Sequence, residues 1–505
     1  MTPFDWFVFA LYLIVTAAVG FWCGRRLQTS EDYFLGARRV PWPTAMLSLV
    51  ATETSAVTVV AIPAMAYSQG GDLGFLQCAA GFAIGKIIIA IFILPSFFRR
   101  ELVTPYQFLG SRLGRAGQRA GALLFIAALY IGAAFRIYVG AIPLAEATEL
   151  GIQMCLLIIS LLAIAYTLMG GLRAVIYTDV LQMILFITGG VVAFAFILTH
   201  LPEGMSSFWS LAEESGKTKF FDSGLRESSG GSRYYDWTQP HTIFAGLIGA
   251  AVVTLATHGT DHSNLQRLLA CQSLGRAQTA LVVSAGLVIF QFALFLFVGI
   301  ALHVFYQTAQ PPPELVNNNR ILPYFIIHEL PSGLTGLLIA GIFAAAMSTV
   351  DSALSALSAT TVTDLRSKRR EGSSEESRMG WARWSVFVWG LLLWFGAIGA
   401  WKLGRENLVN AVFTVANSLY GPLLGVFLIA LLLHKDRGEE TDGGNRSLST
   451  LYIPFAIGLA VQSLIFALGR EEWMGDYTFK LAWPWITLTG AVGTFVPAWI
   501  LKRLA

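Results

Sequence analysis

Long apolar runs without charge dominate this chain and leave it few ways to fold. About thirteen of them reach about 18 residues or more, near 4–24, 42–68, 74–98, 119–145, 151–170, 173–200, 240–264, 276–306, 333–364, 380–401, 407–433, 451–469 and 481–501. Runs of this length match the hydrocarbon core of a bilayer. In lipid every backbone N–H and C=O needs an internal partner, so such runs become helices. Composition agrees: of 505 residues 55% are hydrophobic and 13% charged, against about 25% charged in soluble domains. The mean hydropathy is +0.62. A set of soluble domains is thereby excluded, and the two-residue alternation of an outer-membrane barrel is absent. The fold class is an all-α, polytopic membrane protein forming one transmembrane domain over residues 1–505.

The net charge of +3 says little about partners, because the charges gather in loops. No basic, aromatic-studded patch points to nucleic acid, and no phosphate-cradling loop points to an ATP-driven pump. Cys23, Cys78, Cys155 and Cys271 fall in or beside apolar runs without metal-ligand spacing and read as buried thiols. The first run lacks the basic start and small-residue cleavage site of a signal peptide.

Orientation follows from the positive-inside rule. With the N-terminus outside, the inner loops and flanks hold about 23 of the 34 Lys and Arg residues. Arg25, Arg26, Arg99, Arg100, Arg112, Arg115, Arg366, Lys368, Arg369, Arg370, Lys435 and Lys502 are among them. The external loops are then 201–239 and 307–332, the second with Pro311-Pro312-Pro313 and Asn317-Asn318-Asn319. The charged loops 365–379 and 434–450, and the C-terminus, are cytoplasmic. Lys86 and Arg136 alone lie inside spans.

Two spans are interrupted. The second carries Thr52-Glu53-Thr54-Ser55 at mid-membrane and then Pro63; the seventh carries Thr257-His258-Gly259-Thr260-Asp261-His262. Polar breaks at membrane depth survive only where they line a cavity or are buried in protein. Broken helices at matching positions of two halves mark an inverted-repeat transporter with its site at the midplane. The expected organisation is a leading helix (4–24), repeat one (42–200), repeat two (240–433) and trailing helices (451–501). This is a five-plus-five inverted repeat whose first and sixth core helices are broken.

The polar residues inside the spans carry the chemistry. In the ninth span Ser348, Asp351, Ser352 and Ser355 share one helix face, offering hydroxyls and a carboxylate to a hard cation. Close packing of small residues is the alternative for the serines, but an intramembrane Asp is costly and points to function. Glu53 sits inside the first break, where it either adds negative field beside freed carbonyls or caps a half-helix. Asp179 is either a counter-charge for a cation or a helix-start residue at the inner surface. Arg136 needs an acid, Glu53 or Asp179, or an anionic solute. Ser55, Thr58 and Gln77 are neutral polar groups that either orient a solute or are ordinary satisfied polar residues, and Asp261 in the second break is a further candidate for solute binding. His258 and His262 are spaced i, i+4, but Gly259 stands where a zinc protease would have Glu.

At these residues the chain resembles the sodium/solute symporter family, which includes sodium/glucose, proline, sialic acid, iodide and monocarboxylate cotransporters. Four patches carry the resemblance: Glu31 through Arg39, Gly170 through Gln182, Asp261 through Arg267, and Ala345 through Ser352. It implies a sodium site from carbonyls of Ala51, Thr54 and Ala345 with hydroxyls of Ser348 and Thr349. It also implies a second sodium at Asp179, Ser348, Asp351 and Ser352, although Asp351 replaces a hydroxyl there. Glu53 stands at a position that is acidic in proline-type members. The sugar-binding Lys of sugar-type members is replaced by an apolar residue near Val288, while Thr58, Gln77 and Arg136 fall near positions that bind sialic acid. The expected function is a sodium-coupled symporter of a small solute in the cell membrane, not an enzyme, with organic or amino acids favoured over sugars and Na⁺ as the coupling ion. Proton coupling through Glu53 or Asp351, and a channel or sensor on the same scaffold, are the alternatives.

Overall fold

A computed structural model describes residues 1–25, 29–148, 150–228, 230–309, 320–365, 374–403, 418–433, 446–468 and 480–504. Arg26, the Pro311-Pro312-Pro313 and Asn317-Asn318-Asn319 runs, Arg366 through Arg370, Lys435 and the first part of the expected span 407–433 lie outside the described residues. The described chain is helical apart from one small hairpin.

The helices follow the apolar runs. Helix α1 (Pro3–Gly24) starts at a reciprocal cap in which Thr2 and Asp5 satisfy each other's backbone N–H, and α2 (Ser30–Leu35) repeats the device with Thr29 and Asp32. Next come α3 (Trp42–Glu53), α4 (Ala56–Tyr67) and α5 (Leu76–Phe98). A wide turn at Ile89–Ile93 in α5 precedes Pro95, which has no N–H to give back to the helix. Helices α6 (Pro105–Thr148), α7 (Ile152–His200) and α8 (Met205–Glu214) follow. The second half holds α9 (Ala245–Gly259), α10 (His262–Leu269), α11 (Leu274–Ala309), α12 (Ile321–His328) and α13 (Leu334–Leu365). Helices α14 (Glu375–Leu403), α15 (Ser418–Leu433), α16 (Arg446–Leu468) and α17 (Trp483–Leu504) complete the chain.

Eight described helices are long and apolar enough to cross a bilayer, and the bent pair α3–α4 makes a ninth span. At 49 residues α7 is too long for one crossing, and it breaks at Gly171 (φ 53°, ψ −153°) to supply two. The turn needs glycine, since a Cβ there would fall 2.6 Å from the Tyr33 carbonyl oxygen. Three shorter apolar helices, Ala245–Gly259, Ser418–Leu433 and Ile453–Ile465, fall within further expected spans at 240–264, 407–433 and 451–469. Helix α13 lies at the centre, almost wholly buried among α1, α3, α6 and α7. All four cysteines are buried free thiols.

The expected loop at 201–239 is not structureless. It contains α8 and a hairpin of β1 (Leu225–Glu227) against β2 (Arg233–Tyr235). Asp222 locks the hairpin's base, accepting from both Arg226 nitrogens at 2.9 and 2.7 Å and from the Gly224 N–H at 2.8 Å. The guanidinium holds the Asp222 carboxyl down to about 2.

Candidate functional site

Both breaks form where the polar runs place them. Helix α3 ends at Glu53, Thr54 (φ −90°, ψ 97°) and Ser55 (φ −88°, ψ 166°) are extended, and α4 leaves at 60°. Carbonyls that close a helix have no following turn to bond them, so this end of α3 faces its surroundings with bare oxygens near Ala51. In the seventh span, Thr260 and Asp261 separate α9 from α10, and Asp261 caps α10 by accepting the Ser263 N–H at 2.7 Å.

Glycine brings α13 to the first break. A Cβ built on Gly140 of α6 would fall 2.6 Å from that of Ala346 and 3.2 Å from that of Ala56. Ala346 of α13 and Ala56, the first residue of α4 after the break, therefore pack against the same glycine of α6. The Thr349 hydroxyl donates to the Ala345 carbonyl at 3.3 Å, and Thr54 is held by Gln291 of α11 at 2.8 Å.

Beneath the break lies a buried polar network. Asp179 accepts from Ser348 at 2.5 Å, Ser48 at 2.6 Å and Arg267 at 2.8 Å. Arg267 also donates to Ser48, Ser352 and the Ser263 carbonyl. Asp351 accepts from Tyr166 and, at 3.3 Å, from Ser352. Asp179, Asp351 and Arg267 are all fully buried. Asp179 is thus no surface helix-start residue; its counter-charge is the guanidinium of α10. The structure brings Asp179, Ser348, Asp351 and Ser352 together as expected, with Arg267 among them.

Glu53 caps no half-helix. It pairs with Lys86 of α5 at 2.6 Å and His258 of α9 at 2.9 Å, and Lys86 also donates to Ser284 of α11 at 3.0 Å. His258 is thereby turned away from His262, whose ring nitrogens are buried without a hydrogen bond among the described residues.

Arg136 does not pair with Glu53 or Asp179, because each acid already has a nearer cation. Half-buried on α6, it has no ion pair among the described residues and lies within electrostatic reach of Tyr420 on α15. The Tyr420 hydroxyl donates to Asp261 at 2.6 Å, so Arg136 and Asp261 flank one tyrosine. Ser55, buried, immediately precedes α4, and Thr58, half-buried, lies on its first turn. Gln77 stands apart: its amide donates to the His241 carbonyl at 2.8 Å, and its amide oxygen lies 3.5 Å from the Asp222 N–H in the loop at 201–239.

Sequence reasoning missed the contributions of Lys86, His258, Arg267, Tyr166, Gln291 and Tyr420. A signal existed for Lys86, a charge within a span, and for Arg267, within a matched patch. Tyr166, Gln291 and Tyr420 carried none.

The family model for the sodium:solute symporter family matches residues 33–437. The chain belongs to that family. It is 30% identical over 429 residues to the sodium/sialic acid symporter SiaT of Proteus mirabilis, covering 84% of each chain. It is 29% identical over 443 residues to the human sodium/iodide cotransporter, covering 85% of this chain and 66% of that protein. A solved Na⁺-coupled sialic acid symporter in a substrate-bound outward-open state superposes with a TM-score of 0.83 at 26% identity, over 100% of this chain and 98% of that one. The protein is thus a multi-pass membrane transporter with a five-plus-five inverted repeat, and sodium is the ion its relatives share.

Proposed function

We propose that this symporter imports a small anionic organic solute, a carboxylate above all, with sodium bound at the first break. The observation that carries the reading is Arg136, a half-buried guanidinium in the spanning bundle without an ion pair among the described residues. Its potential acidic partners are engaged elsewhere, so an incoming carboxylate supplies the missing counter-charge in bidentate geometry. Two relatives named for sialic acid and iodide, both anions, support it. The apolar stretch around buried Val288, near which the resemblance places the Lys of sugar-type members, argues against sugars.

We assign sodium to the carbonyls of Ala51, Thr54 and Ala345 and the hydroxyls of Ser348 and Thr349, an all-oxygen set suited to a hard cation. The Ser348 hydroxyl spends its proton on Asp179, which leaves its lone pairs for the ion. A second sodium at Asp179, Asp351 and Ser352 has to share these oxygens with Arg267. Glu53 and Gln77 support the solute site indirectly, through the breaks and the loop at 201–239, while Asp261 is joined to the Arg136 side of the site through Tyr420, and Ser55 and Thr58 are assigned to the solute from the start of α4. The N-terminus is placed outside and the C-terminus in the cytoplasm of a cell membrane. Sodium bridging α3 and α13 favours one arrangement of the two repeats, and its inward gradient then drives uptake by alternating access.

Ser348→Ala is expected to raise the sodium concentration for half-maximal thermal stabilisation about tenfold, the loss of one hydrogen-bond-scale contact to a charge; the sodium-free melting temperature should fall as well, because buried Asp179 loses a donor, but by less than the sodium response. Loss of fold and of sodium response in equal measure would count against the assignment. Arg136→Gln is expected to abolish the extra stabilisation that carboxylates such as pyruvate or sialic acid give in sodium. It should cost about 10–100-fold in their affinity, while the response to sodium alone persists. Stabilisation of the unaltered protein by neutral sugars, or a carboxylate response that survives in Arg136→Gln, would sink the anionic reading.

A further inference from the structure

At the far end of α4 from the sodium-bearing break, the last turn leaves carbonyls that no helical N–H follows to satisfy. Two of them, with two more from the turn just beyond the helix, converge on one ammonium. Lys217 Nζ, from the outer loop after α8, donates to the carbonyls of Ala66 at 2.8 Å, Tyr67 at 3.2 Å, Ser68 at 2.7 Å and Gly71 at 3.2 Å. Lys217 is 2% exposed, which is unusual for the most readily hydrated of side chains. Its own backbone is fixed too. The Lys217 N–H bonds the Ala212 carbonyl of α8 at 2.9 Å, and the Leu73 N–H bonds the Lys219 carbonyl at 2.9 Å. From the other side, His303 Nδ1 of α11 lies 3.1 Å from the Tyr67 carbonyl.

The arrangement is a carbonyl cage closed by a cation on a tether, placed at the negative end of the α4 dipole. Helix α4 has twelve residues, Ala56–Tyr67, so its two ends are about 18 Å apart at about 1.5 Å per residue. Pro63 leaves one backbone bond out of the middle, but α11 backs that point. A Cβ on Gly299 would fall 2.2 Å from the Pro63 carbonyl oxygen. The helix can therefore pass a displacement at one end to the other.

We propose that Lys217 is a positioning residue for the outer half of the first broken helix. Its ammonium fastens the loop after α8 to the end of α4, so that sodium binding at Thr54 is transmitted to the outer surface of the protein. The inference rests on the assignment of sodium to the break. It makes the loop a segment that responds to sodium rather than a passive connection, and it identifies the vacated cage in Lys217→Ala as a site for a small primary alkylammonium. Propylammonium matches the three carbons and the nitrogen that this substitution removes.

The test is hydrogen exchange on the purified full-length protein in sodium and in choline at equal ionic strength. Sodium is expected to slow exchange in peptides covering 212–219 and 66–73 together with those covering the break and α13. In Lys217→Ala the loop peptides should lose this response while the break keeps it. The sodium half-saturation should rise about fivefold, the low end of coupling between sites. Millimolar propylammonium should restore both in the variant and change nothing in the unaltered protein, a rescue that a bulk packing role would not show. If sodium slows the break and α13 but leaves 212–219 at its choline rate, the tether is wrong and the sodium assignment stands. If sodium slows none of them, the assignment at Ala51, Thr54 and Ala345 falls, and the tether with it. Should the alanine variant fail to fold, the exchange pattern of the unaltered protein decides alone.

Discussion

Arg267→Met is expected to destabilise the protein by about 3–5 kcal/mol, the scale for stripping one partner from a buried ion pair. The guanidinium is fully buried and donates to Asp179, Ser48, Ser352 and the Ser263 carbonyl. Without it, two fully buried carboxyl groups, Asp179 and Asp351, share a pocket with no cation of the protein's own among the described residues. The same guanidinium ties α10, just beyond the second break, to α3 and α13, which bear the proposed sodium ligands. Sodium stabilisation should therefore be lost along with fold stability. Pairing the change with Asp179→Asn should recover part of the loss, because the stranded charge is gone. Melting temperatures of the purified variants check this; a single variant that melts within a few degrees of the unaltered protein would falsify the account.

Removing either member of the Glu53–Lys86 pair should also be severe, and unequally so. Lys86 is fully buried, whereas the Glu53 side chain retains 13% exposure and a second partner in His258. Glu53→Gln strands the more deeply buried charge with only Ser284 and an amide oxygen, so it should cost more than Lys86→Met. The double variant should be less damaged than the sum of the two, with a coupling of about 1–3 kcal/mol in a double-mutant cycle. Because Glu53, Lys86 and His258 come from α3, α5 and α9, the double variant is expected to fold yet bind sodium more weakly, the link between the two breaks being absent. Additive single effects would show that the pair is a bystander. The cycle also bears on proton coupling through Glu53, since a carboxylate neutralised from within the protein has little need of a proton.

The class of fold was legible because lipid removes the alternatives. A chain with apolar runs of spanning length can satisfy its backbone only as helices, so spans such as 4–24 and 481–501 needed no tertiary information. The breaks were legible for the same reason: Thr52 through Ser55 and Thr257 through His262 are too polar for lipid and imply a cavity or a protein neighbour. Asp179, Ser348, Asp351 and Ser352 could be grouped from the resemblance and from helical spacing.

Partners across helices were another matter. Glu53, Asp179 and Arg136 each stood open to several readings, since a charge within a span needs a partner but its sequence position does not say which. The bundle decided. Lys86 and His258 reached Glu53 first, Arg267 reached Asp179, and Arg136 was left without an ion pair among the described residues. The hairpin and α8 in the loop at 201–239, and the burial of Lys217 among carbonyls at the end of α4, likewise had no marker in composition. Local sequence determines which groups must be satisfied, through the cost of leaving them bare in a medium without water. Which group satisfies which is settled by helices far apart in the chain packing into one core, and that geometry exists only once the bundle has closed.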